Sequence, residues 1–289
     1  MDHVFTHFWP VKNLIGKLKS NVWEQLEKEM SKQEIIAMVL EQDNDAVSAK
    51  ISTISEEELP EGDVTVRIDY STLNYKDAMI LKGIGKLVRK FPHVPGVDFS
   101  GVVEKSSSAQ FSEGDRVVLN GWRVGEARWG GYSQKARVNS QWLVHVPDNF
   151  TNAQAMGIGT AGYTAMLAIN ALEKNGLSVE DEGEVLVTGA AGGVGSIAVA
   201  ILSSLGYRVA ASTGREEAGD YLIDLGATAI ISRKELEEEI SSPLSSQRWS
   251  GVIDNVGGVI LGNVLRSINY HGACAAVGNT NSNTLEINI

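Results

Sequence analysis

One local pattern restricts the fold of this chain more than any other. The run Thr188-Gly189-Ala190-Ala191-Gly192-Gly193-Val194-Gly195 follows an apolar segment, Val185-Leu-Val, and precedes a small-residue one, Ser196-Ile-Ala-Val-Ala. A glycine-rich run alone is weak evidence; a strand before it and a helix after it tie it to a parallel α/β sheet. Glycine removes the Cβ that would hold a tight turn away from a pyrophosphate. The exiting helix then presents unpaired N–H groups and a partial positive charge to the anion. The alternative is a tight strand-to-helix turn that holds no ligand.

The surrounding order of elements agrees. From Gly183, strand candidates Val185–Thr188, Tyr207–Ser212, Thr228–Ser232, Gly251–Asp254 and Ala273–Val277 alternate with helices. This predicts a doubly wound parallel sheet with right-handed crossovers. Thr151 to about Leu177 reads as helical, with Thr151 as N-cap. Upstream the period is that of strands: Ile35–Leu40, Asp63–Tyr70, Phe99–Glu104, Asp115–Leu119 and Lys135–Val138, punctuated by Gly, Pro and Asp, predict a small β-barrel or sandwich. Residues 1–29 carry helical spacing at Val11–Lys19 and Val22–Leu26, either a docked amphipathic helix or, the reading favoured here, an extension upstream of a start at Met30. The expected parts are thus the extension 1–29, a substrate-side domain 30–150 and a dinucleotide-binding domain 151–289.

Composition excludes several partners. With 25 Lys and Arg against 36 Asp and Glu, the net charge of −11 argues against nucleic acid. Cys274 is the one cysteine, and the five histidines lack metal-ligand spacing, so neither a disulfide nor a metal is expected. No apolar run approaches the ~18 residues of a membrane span, so no membrane partner is expected and a reducing cytoplasm is the expected compartment.

Cofactor choice is read at the end of the second strand, where Asp or Glu would engage the ribose hydroxyls of NAD. Here the chain runs Ser212-Thr213-Gly214-Arg215, with no acid. Two hydroxyls and a guanidinium favour a 2′-phosphate and therefore NADPH. Arg215 as a solvated surface charge is the alternative.

With that turn in place, the chain resembles the zinc-independent quinone-oxidoreductase branch of the medium-chain dehydrogenase/reductase superfamily, and more narrowly its acrylyl-CoA reductase group. The resemblance rests on Leu73-Asn-Tyr-Lys-Asp77, Phe91-Pro-His-Val-Pro-Gly-Val-Asp-Phe-Ser-Gly101, Gly121-Trp-Arg-Val-Gly125 with Trp129-Gly-Gly131, Gly159-Thr-Ala-Gly-Tyr-Thr-Ala165, the glycine turn and Ser212–Arg215. It implies a GroES-like β-domain joined to a Rossmann domain, NADPH in the cleft between them, and hydride delivery to the activated alkene of a small enoyl-CoA. Quinones and α,β-unsaturated carbonyls are alternative acceptors, and a non-catalytic NADPH-binding protein is a reading of another class. Zinc-dependent relatives carry a histidine and an acid after the Pro-Gly turn; Val97 and Asp98 stand here. The family continues past Ile289, so a sheet truncated by its last strand is expected, with an exposed edge. A homodimer is implied by the resemblance alone.

The candidate catalytic residues are Tyr75, Asp77 and Asn74. Alkene reduction needs a proton beside the hydride; the Tyr75 hydroxyl or a water could supply it, with Asp77 or Lys76 orienting. Alternatively Tyr75 is an aromatic plug and Asp77 caps a helix starting at Ala78. Candidate cofactor contacts are Tyr75, Thr160, Thr164, Ala191, Gly192, Gly193, Val194, Ser212, Thr213, Gly214, Arg215, Arg233 as a second partner of the 2′-phosphate, and Asn279. For Thr164 helix packing, and for Arg233 a surface role, are the competing readings. Trp122 and Trp129 are read as packing residues, with the substrate mouth as the alternative.

Overall fold

A computed structural model of the protein describes residues 34–44, 46–238, 246–280, 282 and 284–285. The expected extension over 1–29 and the chain end at Ile289 lie outside them. The chain divides into two compact units between Thr160 and Ala161.

The first unit is built from antiparallel strands. β1 (Glu34–Asp43) and β2 (Ala46–Ser55) form a hairpin. β1 buries Ile35, Ile36, Ala37, Val39 and Leu40, whereas β2 is mostly exposed. A five-stranded sheet follows in the order β6-β3-β4-β5-β7, with β3 at Val64–Tyr70, β4 at Asp98–Ser106, β5 at Arg116–Asn120, β6 at Lys135–Val138 and β7 at Leu143–His145. Alternate residues such as Val64, Val66, Phe99, Val103, Val117 and Leu119 turn inward into one apolar core. A helix, α1 (Tyr75–Leu81), lies between β3 and β4 in the chain.

The second unit holds a parallel sheet in the order β10-β9-β8-β11-β12. Its strands are β8 (Glu184–Val187), β9 (Val209–Thr213), β10 (Ala229–Ser232), β11 (Trp249–Asp254) and β12 (Ile268–Ala276), interleaved with α3 (Gly193–Ser204), α4 (Gly219–Asp224), α5 (Arg233–Glu237) and α6 (Gly258–Leu265). β9 and β11 are buried throughout, as central parallel strands covered on both faces must be. Strand order reverses between β8 and β11, and ligands of open α/β sheets gather at the carboxyl ends beside such a reversal. The doubly wound α/β sheet expected from the sequence is present.

Several details differ from expectation. α1 starts at Tyr75 with Asn74 as its N-cap residue, not at Ala78 behind Asp77. Asp77 instead stands at N3, where its Oδ2 accepts from the Asn74 N–H at 2.9 Å. β2 and β7 were not anticipated: one buries almost no apolar face and the other spans three residues. Thr151 does cap α2 (Asn152–Lys174), exchanging hydrogen bonds with Gln154 in both directions. α2 is interrupted at Gly159 (φ 49°, ψ −161°). By length and a mean hydropathy of 1.2 it is apolar enough to cross a membrane, against the expectation that no run approached that length. Ala165, Ala168, Ile169 and Leu172 on it nevertheless pack into the core of the second unit.

Candidate functional site

In the first unit the candidate residues converge on a carboxylate that sequence reasoning had considered only as a broken zinc pattern. Asp98, fully buried at the start of β4, accepts from the Thr72 N–H at 3.1 Å, the Thr72 hydroxyl at 2.7 Å, the Asn74 Nδ2 at 3.3 Å and the Thr160 N–H at 2.9 Å. The Thr160 contact depends on the break in α2. Gly159 takes left-handed backbone, and a Cβ there would meet Thr72 Cγ2 at 3.2 Å. Asn74 also donates to Thr72 Oγ1 at 2.9 Å. Asn74 and Thr160 are therefore fixed by one anion, and Asn120 reaches the Thr160 hydroxyl at 3.5 Å.

Asp77 is also fully buried, with Oδ1 accepting from the Val97 N–H at 3.1 Å. Burial, and then the nearby Asp98, push its carboxyl up to about 6, against the opposing pull of its hydrogen bonds. Tyr132 donates from its hydroxyl to the Thr72 carbonyl at 2.8 Å, and burial holds that phenol above its ordinary range. Tyr75 differs from both: its side chain is 65% exposed on the first turn of α1. Lys76 is paired with Glu126 at 2.8 Å. Trp129 packs against the hairpin core and donates to the Pro92 carbonyl at 3.3 Å, as a packing residue does. Trp122 is 54% exposed and stacks on Trp142 with ring centres 6.3 Å apart.

In the second unit the glycine turn has the geometry its sequence implies. Gly189 is left-handed (φ 58°), and the first hydrogen bond of α3 runs from Ser196 N to Gly192 O at 2.9 Å. The N–H groups of Gly193, Val194 and Gly195 therefore lie ahead of the helical ladder. A Cβ on Gly195 would overlap the Gly189 carbonyl and approach Ala190 Cα to 2.6 Å, so this glycine lets α3 close on the turn that follows β8. Ala190 N–H donates to the Ser212 carbonyl at 2.9 Å, joining the turn to the end of β9. There Thr213 accepts from the Arg215 N–H at 3.1 Å, and Arg215 Nη2 donates to the Ala191 carbonyl at 2.5 Å. The exposed Arg215 side chain thus reaches back to the glycine turn. Arg233 packs its stem beside Gly214, where a Cβ would lie 3.1 Å from Arg233 Cδ, and pairs with Glu237 at 2.8 Å. Thr164 lies in the part of α2 that belongs to this unit.

At the carboxyl ends of β8 and β11 sits a second buried carboxylate that sequence reasoning missed. Asp254 accepts from the Thr188 hydroxyl at 2.6 Å and the Gly257 N–H at 2.8 Å. Its carbonyl accepts from Val277 and Gly278 N–H at 2.8 and 3.1 Å, which places exposed Asn279 just past the same sheet edge. A polar residue ending a buried strand was the available signal for Asp254. For Asp98 no local signal existed, because its donors are spread from Thr72 to Thr160. Among the described residues no group of three or more His, Cys, Asp or Glu converges, and both Asp98 oxygens are already taken up by donors. This arrangement does not fit a zinc ion.

Comparisons agree with both halves. Residues 60–148 match the alcohol dehydrogenase GroES-like domain family, and residues 193–289 the zinc-binding dehydrogenase family. The acrylyl-CoA reductase AcuI of Ruegeria pomeroyi is 54% identical over 84% of this chain and 74% of its own length. The putative quinone oxidoreductase YhfP of Bacillus subtilis is 46% identical over the same shares. Among solved structures, Escherichia coli YhdH with bound NADPH superposes with a TM-score of 0.83 at 48% identity, covering 87% of this chain and 77% of that one. The NAD-bound structure of YhfP gives 0.85 at 43%, covering 89% and 78%.

Proposed function

Since the chain belongs to the medium-chain dehydrogenase/reductase superfamily, in its acrylyl-CoA reductase and quinone-oxidoreductase branch, we propose that it catalyses NADPH-dependent reduction of the activated C=C bond of a small enoyl-CoA such as acryloyl-CoA. The observation that carries the cofactor choice is the Arg215 guanidinium fastened to the Ala191 carbonyl beside a strand end that offers hydroxyls and no acid. The N–H groups of Ala191, Gly193 and Val194 would hold the diphosphate, with Gly192 shaping the turn through its N–H bond to the Gly189 carbonyl at 2.9 Å. Ser212, Thr213, Gly214, Arg215 and Arg233 would hold the 2′-phosphate. Thr160, Thr164, Tyr75 and Asn279 are the candidates for the nicotinamide end. The N–H groups of Gly193, Val194 and Gly195, which precede the first helical hydrogen bond of α3, fit the charge of a dinucleotide phosphate.

NADPH held by these residues would supply the hydride for the β-carbon of the alkene. The α-carbon would then need a proton; of the two phenols beside the Asp77 and Asp98 cluster, Tyr75 is the one free to present it, since the Tyr132 hydroxyl is committed to Thr72. Asn74 and Asp77 act by position: the Asp98 and Asp77 carboxylates fix the first turn of α1 on which Tyr75 stands. A homodimer is carried over from the resemblance alone. Quinone or enone reduction is the second reading, favoured by the likeness to YhfP. Loss of nicotinamide absorbance with NADPH and acryloyl-CoA is the test. Turnover with the thioester is expected; turnover with quinones only would replace the first reading by the second, and failure to bind either nicotinamide nucleotide would end both.

A further inference from the structure

The segment that follows α1 concentrates positive charge that no described acid answers. Lys82, Lys86, Arg89 and Lys90 are all exposed, in a protein of net charge −11, and none forms an ion pair among the described residues. The backbone is bent sharply to display them. Gly83, Gly85 and Lys86 are left-handed (φ 67°, 75° and 48°). Lysine in that region is disfavoured by sterics, on the order of 1 kcal/mol, a cost more often met at binding loops than in plain connections. A Cβ on Gly83 would strike Val47 Cγ2 at 2.9 Å, so the loop is seated closely on the β1–β2 hairpin.

Under the loop lies a cavity of about 740 Å³, within the size range of small-molecule sites. Lys86 and Arg89 rim it, and Val47, Ile80, Val88 and Phe91 give it an apolar floor with one aromatic ring. An apolar slot bordered by unpaired cations suits a molecule with a flat apolar ring and several phosphate charges. α1 connects this place to the candidate chemistry: Tyr75 stands at its first turn and Lys82 at its C-cap, roughly 10 Å apart for seven residues of helix.

We propose that the Lys82–Lys90 loop and the cavity beneath it bind the phosphorylated nucleotide head of the coenzyme A thioester, so that the acyl end can lie toward Tyr75. The proposal rests on the thioester reading above and deepens it, assigning the carrier portion of the substrate to this loop. The glycine turn of the second unit is a separate phosphate site, reserved for the dinucleotide.

The test compares wild type with K86E/R89E, using acryloyl-CoA and the truncated acryloyl-N-acetylcysteamine thioester, which lacks the nucleotide. The KM for acryloyl-CoA is expected to rise ~10-fold or more, as for loss of charge-assisted hydrogen bonds, with the truncated thioester and the NADPH Kd unchanged. K50E, an equal kind of charge change on the hairpin, is expected to leave both KM values near wild type. Adenosine 3′,5′-bisphosphate should compete with acryloyl-CoA in wild type, whereas inorganic phosphate at the same concentration should not. Equal changes for the two thioesters, or equal competition by phosphate, would overturn the proposal. Calorimetric titration with coenzyme A keeps the loop testable without turnover: wild type should bind and the variant should bind ~10-fold more weakly, and identical titrations would overturn it. Should K86E/R89E fail to fold, K82Q/K90Q at exposed positions is measured the same way, with a rise of a few-fold expected and no change overturning it. If quinones alone are turned over, the thioester reading fails, while the coenzyme A titration still decides the loop.

Discussion

Each unit anchors its candidate site on a fully buried aspartate at the end of a strand, but the two are used differently. Asp254 closes a local junction, with one hydroxyl from the end of β8 and one N–H three residues downstream. Asp98 gathers four donors from three residues that enter from the end of β3, the start of α1 and the break in α2. Unpaired buried donors cost more the more of them there are, so the two carboxylates should not be equally replaceable. A parallel sheet brings its site residues together by its own topology; the antiparallel unit needs an added anion to do so.

Substituting each aspartate by alanine breaks or sharpens that contrast. Asp98→Ala should destabilise the chain by about 3–5 kcal/mol, because buried donors lose their anion without gaining water. Asp254→Ala should cost less, about 2–3 kcal/mol, with two donors orphaned. Urea unfolding checks both, and equal losses would remove the distinction between the units. A secondary outcome follows at Thr72 and Thr160, whose backbone N–H groups donate to Asp98: their amide exchange should rise in Asp98→Ala and stay unchanged in Asp254→Ala.

Asp77 supplies the next largest effect and a pH signature specific to the first unit. Its folded carboxyl titrates at about 6 against an ordinary 3.8, raised mainly by burial. A raised value favours folding while the group is protonated in both states. That contribution is full below about 4 and is lost as pH rises through about 6. Its size is roughly 3 kcal/mol between those limits. Stability of wild type minus that of Asp77→Asn should therefore fall from pH 4 to pH 7, measured by urea unfolding across the range. A flat difference would mean that Asp77 is ionised in the fold at all these pH values.

What could be read in advance follows the same division. The parallel sheet was legible because buried strands, glycine turn and helices recur in one order, and each cofactor candidate from Ala191 to Arg215 lies within one strand-turn-helix-strand stretch. Asn74, Tyr75 and Asp77 were legible as a group but not in role, since N-capping and chemistry draw on the same residue types. The true start of α1 at Tyr75 lay hidden in an Asn-x-x-Asp form of the capping box. Asp98 was illegible as an organiser: its donors are separated by up to 88 positions from one another along the chain, and only the closed sheet and the turn at Gly159 bring them together. β2 left no trace because its side chains are mostly exposed, so the alternation that reveals a half-buried strand carried little meaning there.

The smallest expected effect tests the second unit where its sequence was most informative. Arg215 contributes in two ways: its backbone N–H closes a turn on Thr213, and its guanidinium binds the Ala191 carbonyl. Arg215→Ala keeps the first and removes the second, so fold stability should change by less than about 1 kcal/mol, the net value of one exposed hydrogen bond. NADPH affinity should fall by about 1.5–3 kcal/mol through loss of a charged partner for the 2′-phosphate, with NADH binding nearly untouched. Paired calorimetric titrations separate the cases. Equal losses for the two nucleotides would make Arg215 a brace of the glycine turn and leave Arg233, beside the same Gly214, as the cation to test next.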